Sequence, residues 1–99
     1  MKQIMRVGDF CTGHQCWIPR PCVQGSDNIF MDGKRVHRGG DRWAVHCRPC
    51  RKRRHCHAGV LKNASVNVFA NGRKLGRTGD PVSCGSRCAR GSSSGFCGG

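Results

Sequence analysis

Two stretches of the sequence repeat each other: Asn28-Ile29-Phe30-Met31-Asp32-Gly33-Lys34-Arg35-Val36-His37-Arg38-Gly39-Gly40-Asp41 and Asn67-Val68-Phe69-Ala70-Asn71-Gly72-Arg73-Lys74-Leu75-Gly76-Arg77-Thr78-Gly79-Asp80. They superpose without a gap. Self-similarity at a fixed period means one small structural unit used more than once. Ile29–Met31 and Val68–Ala70 are short β-prone runs, followed by Asp32-Gly33 and Asn71-Gly72. Asp-Gly and Asn-Gly accept φ > 0 at both central positions, as a type I′ turn demands, so each copy reads as a β-hairpin. Second strands follow at Lys34–Arg38 and Arg73–Arg77, and Gly40-Asp41 and Gly79-Asp80 turn the chain again.

Partial copies flank the full ones. Val7-Gly8-Asp9 reads as the tail of an earlier unit, and Gly91-Ser92-Ser93-Ser94-Gly95-Phe96 as the head of a later one. No helical periodicity of useful length appears. The basic stretch from Cys47 to Ala58 holds Pro49 and reads as a loop. The fold class is therefore small, loop-rich all-β in a single domain over residues 1–99.

Composition makes a core the scarce commodity. Only 36% of residues are hydrophobic and 6% aromatic, with 15 Gly and no Tyr. A chain so poor in apolar side chains needs a staple. Nine Cys and five His supply material for disulfides or for metal. The expected buried set is Ile18, Ile29, Phe30, Val36, Val45, Val60, Val68, Phe69, Leu75 and Val82, with His37 exposed. Trp17 and Trp43 belong either to the core or to a contact surface. The N-terminus lacks the apolar run of a secretory signal, and no stretch matches a membrane-spanning helix. Synthesis in a reducing cytoplasm is the expectation, which favours metal over disulfides. The formal net charge of +13 calls for anionic partners without choosing among them.

The pattern resembles the PAAR-repeat family. Val68-Phe69-Ala70-Asn71-Gly72-Arg73, Gly79-Asp80-Pro81-Val82-Ser83-Cys84-Gly85, Gly8-Asp9, Thr12-Gly13-His14 and Gly25-Ser26 carry the resemblance. The name-giving tetrapeptide is degenerate here, at Arg73–Arg77 and Arg35–Arg38, and the loop from Arg48 to Cys56 matches least. The resemblance implies a pointed cone of short strands with three pseudo-repeats, stapled by one structural zinc near its apex. It implies a flat base seated on the blunt end of a trimeric β-helical spike, in a contractile phage tail or a type VI secretion system. The location would then be the virion baseplate or the secreted spike, and the work mechanical, with transient contact at the target's outer membrane.

Members of that family hold zinc through three His and one Cys. Here His14 lies five residues after Asp9, His46 five after Asp41, and Cys84 four after Asp80. Equivalent turns thus each deliver one borderline or soft donor. His57 is the fourth candidate, with His55, Cys56 and Cys47 as competitors. His14, His46, His57 and Cys84 would make a closed tetrahedral site, structural because no position is left for water.

Other readings use other residues. Cys47-Arg48-Pro49-Cys50 with Cys56-His57 is a metal knuckle lacking its second pair, and Cys56 could bridge Cys50 or share a second metal with Cys47. Cys16 with Cys22, and Cys88 with Cys97, are further possible bridges, and Cys11 has no assigned partner. The run Arg51-Lys52-Arg53-Arg54 suits an anionic lipid surface or merely a solvated loop. A small zinc-ribbon-like nucleic-acid binder is the alternative function, though the run has no interleaved aromatics for stacking. No Ser/His/Asp set or carboxylate pair points to an enzyme.

Overall fold

A computed structural model describes residues 1–13, 18–47 and 56–98, and for His46 the backbone alone. Among these residues there is no helix, and every strand is two residues long. The strands are β1 (Lys2–Gln3), β2 (Phe30–Met31), β3 (Lys34–Arg35), β4 (His46–Cys47), β5 (Cys56–His57), β6 (Phe69–Ala70), β7 (Arg73–Lys74) and β8 (Phe96–Cys97). All pair antiparallel: β2 with β3, β6 with β7, β4 with β5, and β1 with β8.

The hairpins β2–β3 and β6–β7 turn at Asp32-Gly33 and Asn71-Gly72, and all four residues have positive φ. That is the type I′ geometry their sequences call for. The third unit corrects the expectation of two separate fragments. The tail at Val7–Asp9 and the head at Gly91–Phe96 belong to one unit, because β8 pairs with β1 in the register of the other hairpins. Gln3 faces Phe96 as Arg35 faces Phe30 and Lys74 faces Phe69. The chain ends meet where the other units have a turn.

Two side-chain devices recur in all three units. Ser26, Ser65 and Ser92 are fully buried, and each Oγ accepts two backbone N–H groups two and three residues on. Their own N–H groups donate to Val36, Leu75 and Ile4, at 2.9, 2.9 and 2.8 Å. Each unit ends in an Arg-x-x-Asp clamp: Arg6–Asp9, Arg38–Asp41 and Arg77–Asp80. In each, one carboxylate oxygen accepts the arginine's backbone N–H and Nε–H, and the other accepts Nη2–H. Neighbouring units also interlock. Asp32 accepts from Ser92, Ser94 and Arg6, and Asn71 binds Asn28 and Arg38. The two serines, then Arg6, hold the Asp32 carboxyl below its usual range.

Below the hairpins the units close on themselves twice. In the first ring Ile4 pairs with Arg77, Arg6 with Val36, and Arg38 with Leu75. Its centre is a cycle of backbone hydrogen bonds: Met5 N–H to Gly76 O at 3.0 Å, Gly76 N–H to His37 O at 2.9 Å, His37 N–H to Met5 O at 2.9 Å. The second ring is a belt joined at Phe10–Pro21, Cys22–Trp43, Arg42–Val60, Leu61–Val82, Pro81–Arg87 and Cys88–Cys11. Closure matters for such short strands, since it leaves neither ring a free edge to recruit another chain. The body measures 42 × 24 × 21 Å, one long axis and two similar short ones, as three units about a common axis require.

The core lies on that axis, and it corrects the expected buried set. Ile4, Val36, Leu75, Ala70 and Cys97 form one cluster; Met5, Cys11, Cys22, Trp43, Leu61, Ala64, Val82 and Cys88 form the other. Of the expected set, Val36, Leu75 and Val82 are buried and Val68 is half-buried. Ile18, Ile29, Phe30, Val45, Val60 and Phe69 are exposed. Two-residue strands cannot pack face on face, so the residue just past each hairpin reaches the axis while the phenylalanines point out. Packing is close: a Cβ on Gly25 would sit 2.5 Å from the Val36 carbonyl oxygen, which only glycine permits.

His37 is the second correction. Read as exposed, it is 0% exposed, at the axial position shared with Met5 and Gly76. Its Nδ1–H donates to Gln24 O at 2.7 Å, its ring meets Trp43 edge-on with centroids 5.1 Å apart, and Nε2 has no partner among the described residues. Burial outweighs the Gln24 carbonyl and Asp41, and Arg38 and Arg73 add to it, so the His37 pKa is lowered. The folded state therefore binds fewer protons than the unfolded chain below the ordinary histidine pKa of about 6.5. Stability should be flat above that pH and fall as pH drops towards the depressed value, by at most about 1.4 kcal/mol per pH unit. Urea midpoints at neutral and mildly acid pH should separate the parent from His37→Asn, which keeps a donor for Gln24 but does not titrate. Equal acid sensitivity in both would refute the assignment.

Candidate metal centre

Past the belt lie the described residues of three connections: 12–13 and 18–20, 44–47 and 56–59, and 83–86. Of the sequence-derived ligands, His46 and His57 fall on the second and Cys84 on the third. His14 lies outside the described residues, as do Cys16, Trp17, Cys50, His55 and the basic residues Arg48 and Arg51–Arg54.

The second connection begins and ends as a two-stranded ribbon. In β4–β5, His46 stands directly opposite His57, and Cys47 opposite Cys56. Directly opposed residues share a face of the ribbon, with Cβ atoms about 5 Å apart. Two of the predicted ligands are thus neighbours through backbone register alone. Cys47 and Cys56 are disulfide-bonded, with Cα atoms 4.1 Å apart. This corrects the alternatives drawn from sequence: Cys56 bridges Cys47, not Cys50, and neither thiol is free for a second metal. The bond ties the ribbon at the pair next to His46 and His57, which fixes their register.

The ribbon carries a β-bulge between this pair and the belt. Trp43 N–H donates to Gly59 O at 2.9 Å, so Ala44 and Val45 together oppose Ala58 alone. A bulge re-aims the residues beyond it and often lies beside a site.

The third connection brings Cys84 to the same ribbon. Gly85 has φ 109°, and its N–H donates to Val82 O at 3.0 Å, closing a tight turn. A Cβ on Gly59 would lie 3.3 Å from Cys84 Cβ and 2.8 Å from Val82 Cγ1. Glycine at 59, two residues past His57, is what lets the Cys84 turn pack there. Val60 N–H donates to Ser83 Oγ at 3.0 Å and Ser83 N–H to Val60 O at 2.9 Å, holding the turn against β5. Cys84 is half-buried with a free thiol.

The donors that are described fit a zinc ion by chemistry, imidazole and thiolate, on segments that adjoin. Among the described residues no group of three or more Cys, His, Asp or Glu side chains gathers, and two of the four candidates contribute no described side chain. No family model matches the chain, and no curated protein matches it.

The remaining described thiols sit elsewhere. Cys11, Cys22 and Cys88 are buried along the belt, and Cys97 is in the upper cluster. Cys88 and Cys97 thus occupy different clusters and are both free, correcting the bridge considered for them. Cys22 is free as well, its thiol donating to Arg6 O at 3.0 Å, and desolvation pushes its pKa up to about 12. Trp43 is core, 4% exposed, which settles the choice left open for it.

Proposed function

We propose that the protein is a spike tip of the PAAR type, a zinc-locked cone that caps a trimeric β-helical spike and sharpens it for piercing a cell envelope. The observation that carries this reading is the end of the molecule opposite the candidate metal centre. Phe30, Phe69 and Phe96 hold equivalent positions in the three units and are 55%, 54% and 45% exposed. A monomer that repeats one exposed aromatic three times about an axis offers three equivalent contacts to a three-fold partner. Exposed apolar groups set in a repeating pattern mark an interaction surface rather than a random scatter. Cations flank them at Lys2, Lys34 and Arg73, and at Arg35 and Lys74, so the seat should be apolar with an acidic rim.

When bound, zinc would supply a four-coordinate cross-link between the three apical connections. His14, His46, His57 and Cys84 would hold it, and no catalytic step is involved. The alternative zinc-ribbon reading loses ground because the Cys47–Cys56 disulfide withdraws two of its ligands.

The test is binding to the cognate trimeric spike, read by native mass spectrometry. One tip per trimer is expected. The triple variant Phe30→Ser, Phe69→Ser, Phe96→Ser should keep the parent's melting curve, because these rings are outside the core, yet lose binding at least a hundredfold. A triple variant that binds like the parent, or a complex of three tips per trimer, would overturn the proposal.

A further inference from the structure

The belt has one joint that links the two ends of the chain, and both residues at that joint are cysteines. Cys11 pairs with Cys88, whereas every other belt joint links segments much closer in sequence. The flanking hydrogen bonds run from Thr12 N–H to Arg87 O at 2.8 Å and from Ala89 N–H to Phe10 O at 3.0 Å. With those bonds on either side, Cys11 and Cys88 form a non-hydrogen-bonded antiparallel pair, the narrow kind, with Cα atoms about 4.5 Å apart. Directly opposed residues point to the same side, and both side chains are buried in one cluster. A Cα separation of that size lies within the range a disulfide spans. The ribbon at the apex provides an internal precedent, for Cys47 and Cys56 are also directly opposed in register and are bridged.

Both thiols are free in this structure, the Cys11 sulfur accepting Arg20 N–H at 3.3 Å. We infer that Cys11 and Cys88 are an oxidisable pair whose disulfide locks the belt at its seam. The co-reactant is a small-molecule or protein disulfide. One cysteine thiolate attacks its S–S bond, forming a mixed disulfide and releasing one reduced thiol. The second cysteine thiolate displaces the other half as a second reduced thiol. The two protons lost by Cys11 and Cys88 end on those two leaving thiols. Burial keeps reagents away from the closed belt, and desolvation raises the Cys88 pKa, so exchange belongs to the stage at which the seam is still open. Once closed, the bond is shielded from reductants by the same burial. Cys22, the nearest competitor, is engaged with the Arg6 carbonyl. A cross-link between the first and last belt segments closes the longest loop available to the belt, where constraint on the unfolded chain is greatest. The inference is independent of the spike-tip reading.

The experiment refolds the reduced full chain with zinc in a buffer of oxidised and reduced glutathione. It then quenches with acid, alkylates in denaturant and maps peptides without reduction. A cross-link between Cys11 and Cys88, placed by tandem fragmentation, is expected, with both sulfurs resisting reduced glutathione until denaturant is added. The urea midpoint should rise on oxidation by more in the parent than in the double variant Cys11→Ala, Cys88→Ala, whose gain is that of the Cys47–Cys56 bond alone. Refolded protein with both cysteines alkylated, or with Cys88 joined to Cys22 or Cys97, would overturn the inference.

Discussion

Replacing Asp41 with asparagine should cost about 3–5 kcal/mol, the range for removing one partner of a buried ion pair. Asp41 is 0% exposed, and its carboxylate faces two guanidinium groups, Arg38 Nε at 2.9 Å and Arg73 Nη2 at 3.1 Å. The amide is nearly the same shape, so no cavity forms. Its carbonyl oxygen can still accept the Arg38 backbone N–H, but its NH2 then points donor against donor at an arginine, and the charge that compensates both cations is gone. For a small domain of ordinary stability, about 5–15 kcal/mol, that is a large share. The equivalent changes should rank by burial: Asp80, 4% exposed, next, and Asp9, 10% exposed, least. Urea unfolding of the three single variants measures this. A loss below about 1 kcal/mol at Asp41, or a reversed ranking, would mean that the clamps are ornaments on rings held by other forces.

Part of this fold is legible in the sequence alone. The hairpins were readable because Asp32-Gly33 and Asn71-Gly72 encode their turns locally, within a few residues. The third unit was not, since Lys2–Gln3 and Phe96–Cys97 become a hairpin only when the chain ends meet. Burial was misread for a related reason. Apolar character alone puts Phe30 and Phe69 in the expected buried set, but a strand of two residues has no sheet behind it, and the axis is filled from the next residues along. His37 could have been found from the repeat itself. It aligns with Gly76, and a glycine in that place is the mark of a backbone pressed against neighbours: a Cβ there would meet Leu61 Cδ2 at 2.8 Å and His37 O at 3.0 Å. Disulfide connectivity was beyond reach, because Cys47 and Cys56 are paired by a register that no local signal announces. For the candidate centre, the turn-borne positions were visible as repeats. The opposition of His46 and His57 across a bulged ribbon was not.

That opposition leads to the second large effect. Stripping the protein of metal, or changing Cys84 to serine, should abolish cooperative folding rather than lower the melting temperature slightly. The two apolar clusters are small, and the described residues of the connections beyond the belt add little to them. Structural zinc contributes on the order of 10 kcal/mol in comparable small domains, more than a core of this size would keep in reserve. Within this reading, the His46–His57 pair on the ribbon and the Cys84 turn packed at Gly59 are two arms of one cross-link, and losing one arm frees both segments. The parent should carry one zinc per chain by elemental analysis and none after Cys84→Ser. Replacing zinc by cobalt should give a thiolate-to-metal charge-transfer band in the near ultraviolet that disappears in Cys84→Ser. The band should survive in Cys97→Ser, whose thiol lies in the other cluster. His57→Ala should lose the metal while keeping the Cys47–Cys56 disulfide, which separates loss of a ligand from loss of the ribbon. Protein that melts identically with and without chelator, or a cobalt band indifferent to Cys84, would leave the disulfide and the two closed rings as the whole source of rigidity. The proposed puncturing role would then have to rest on them.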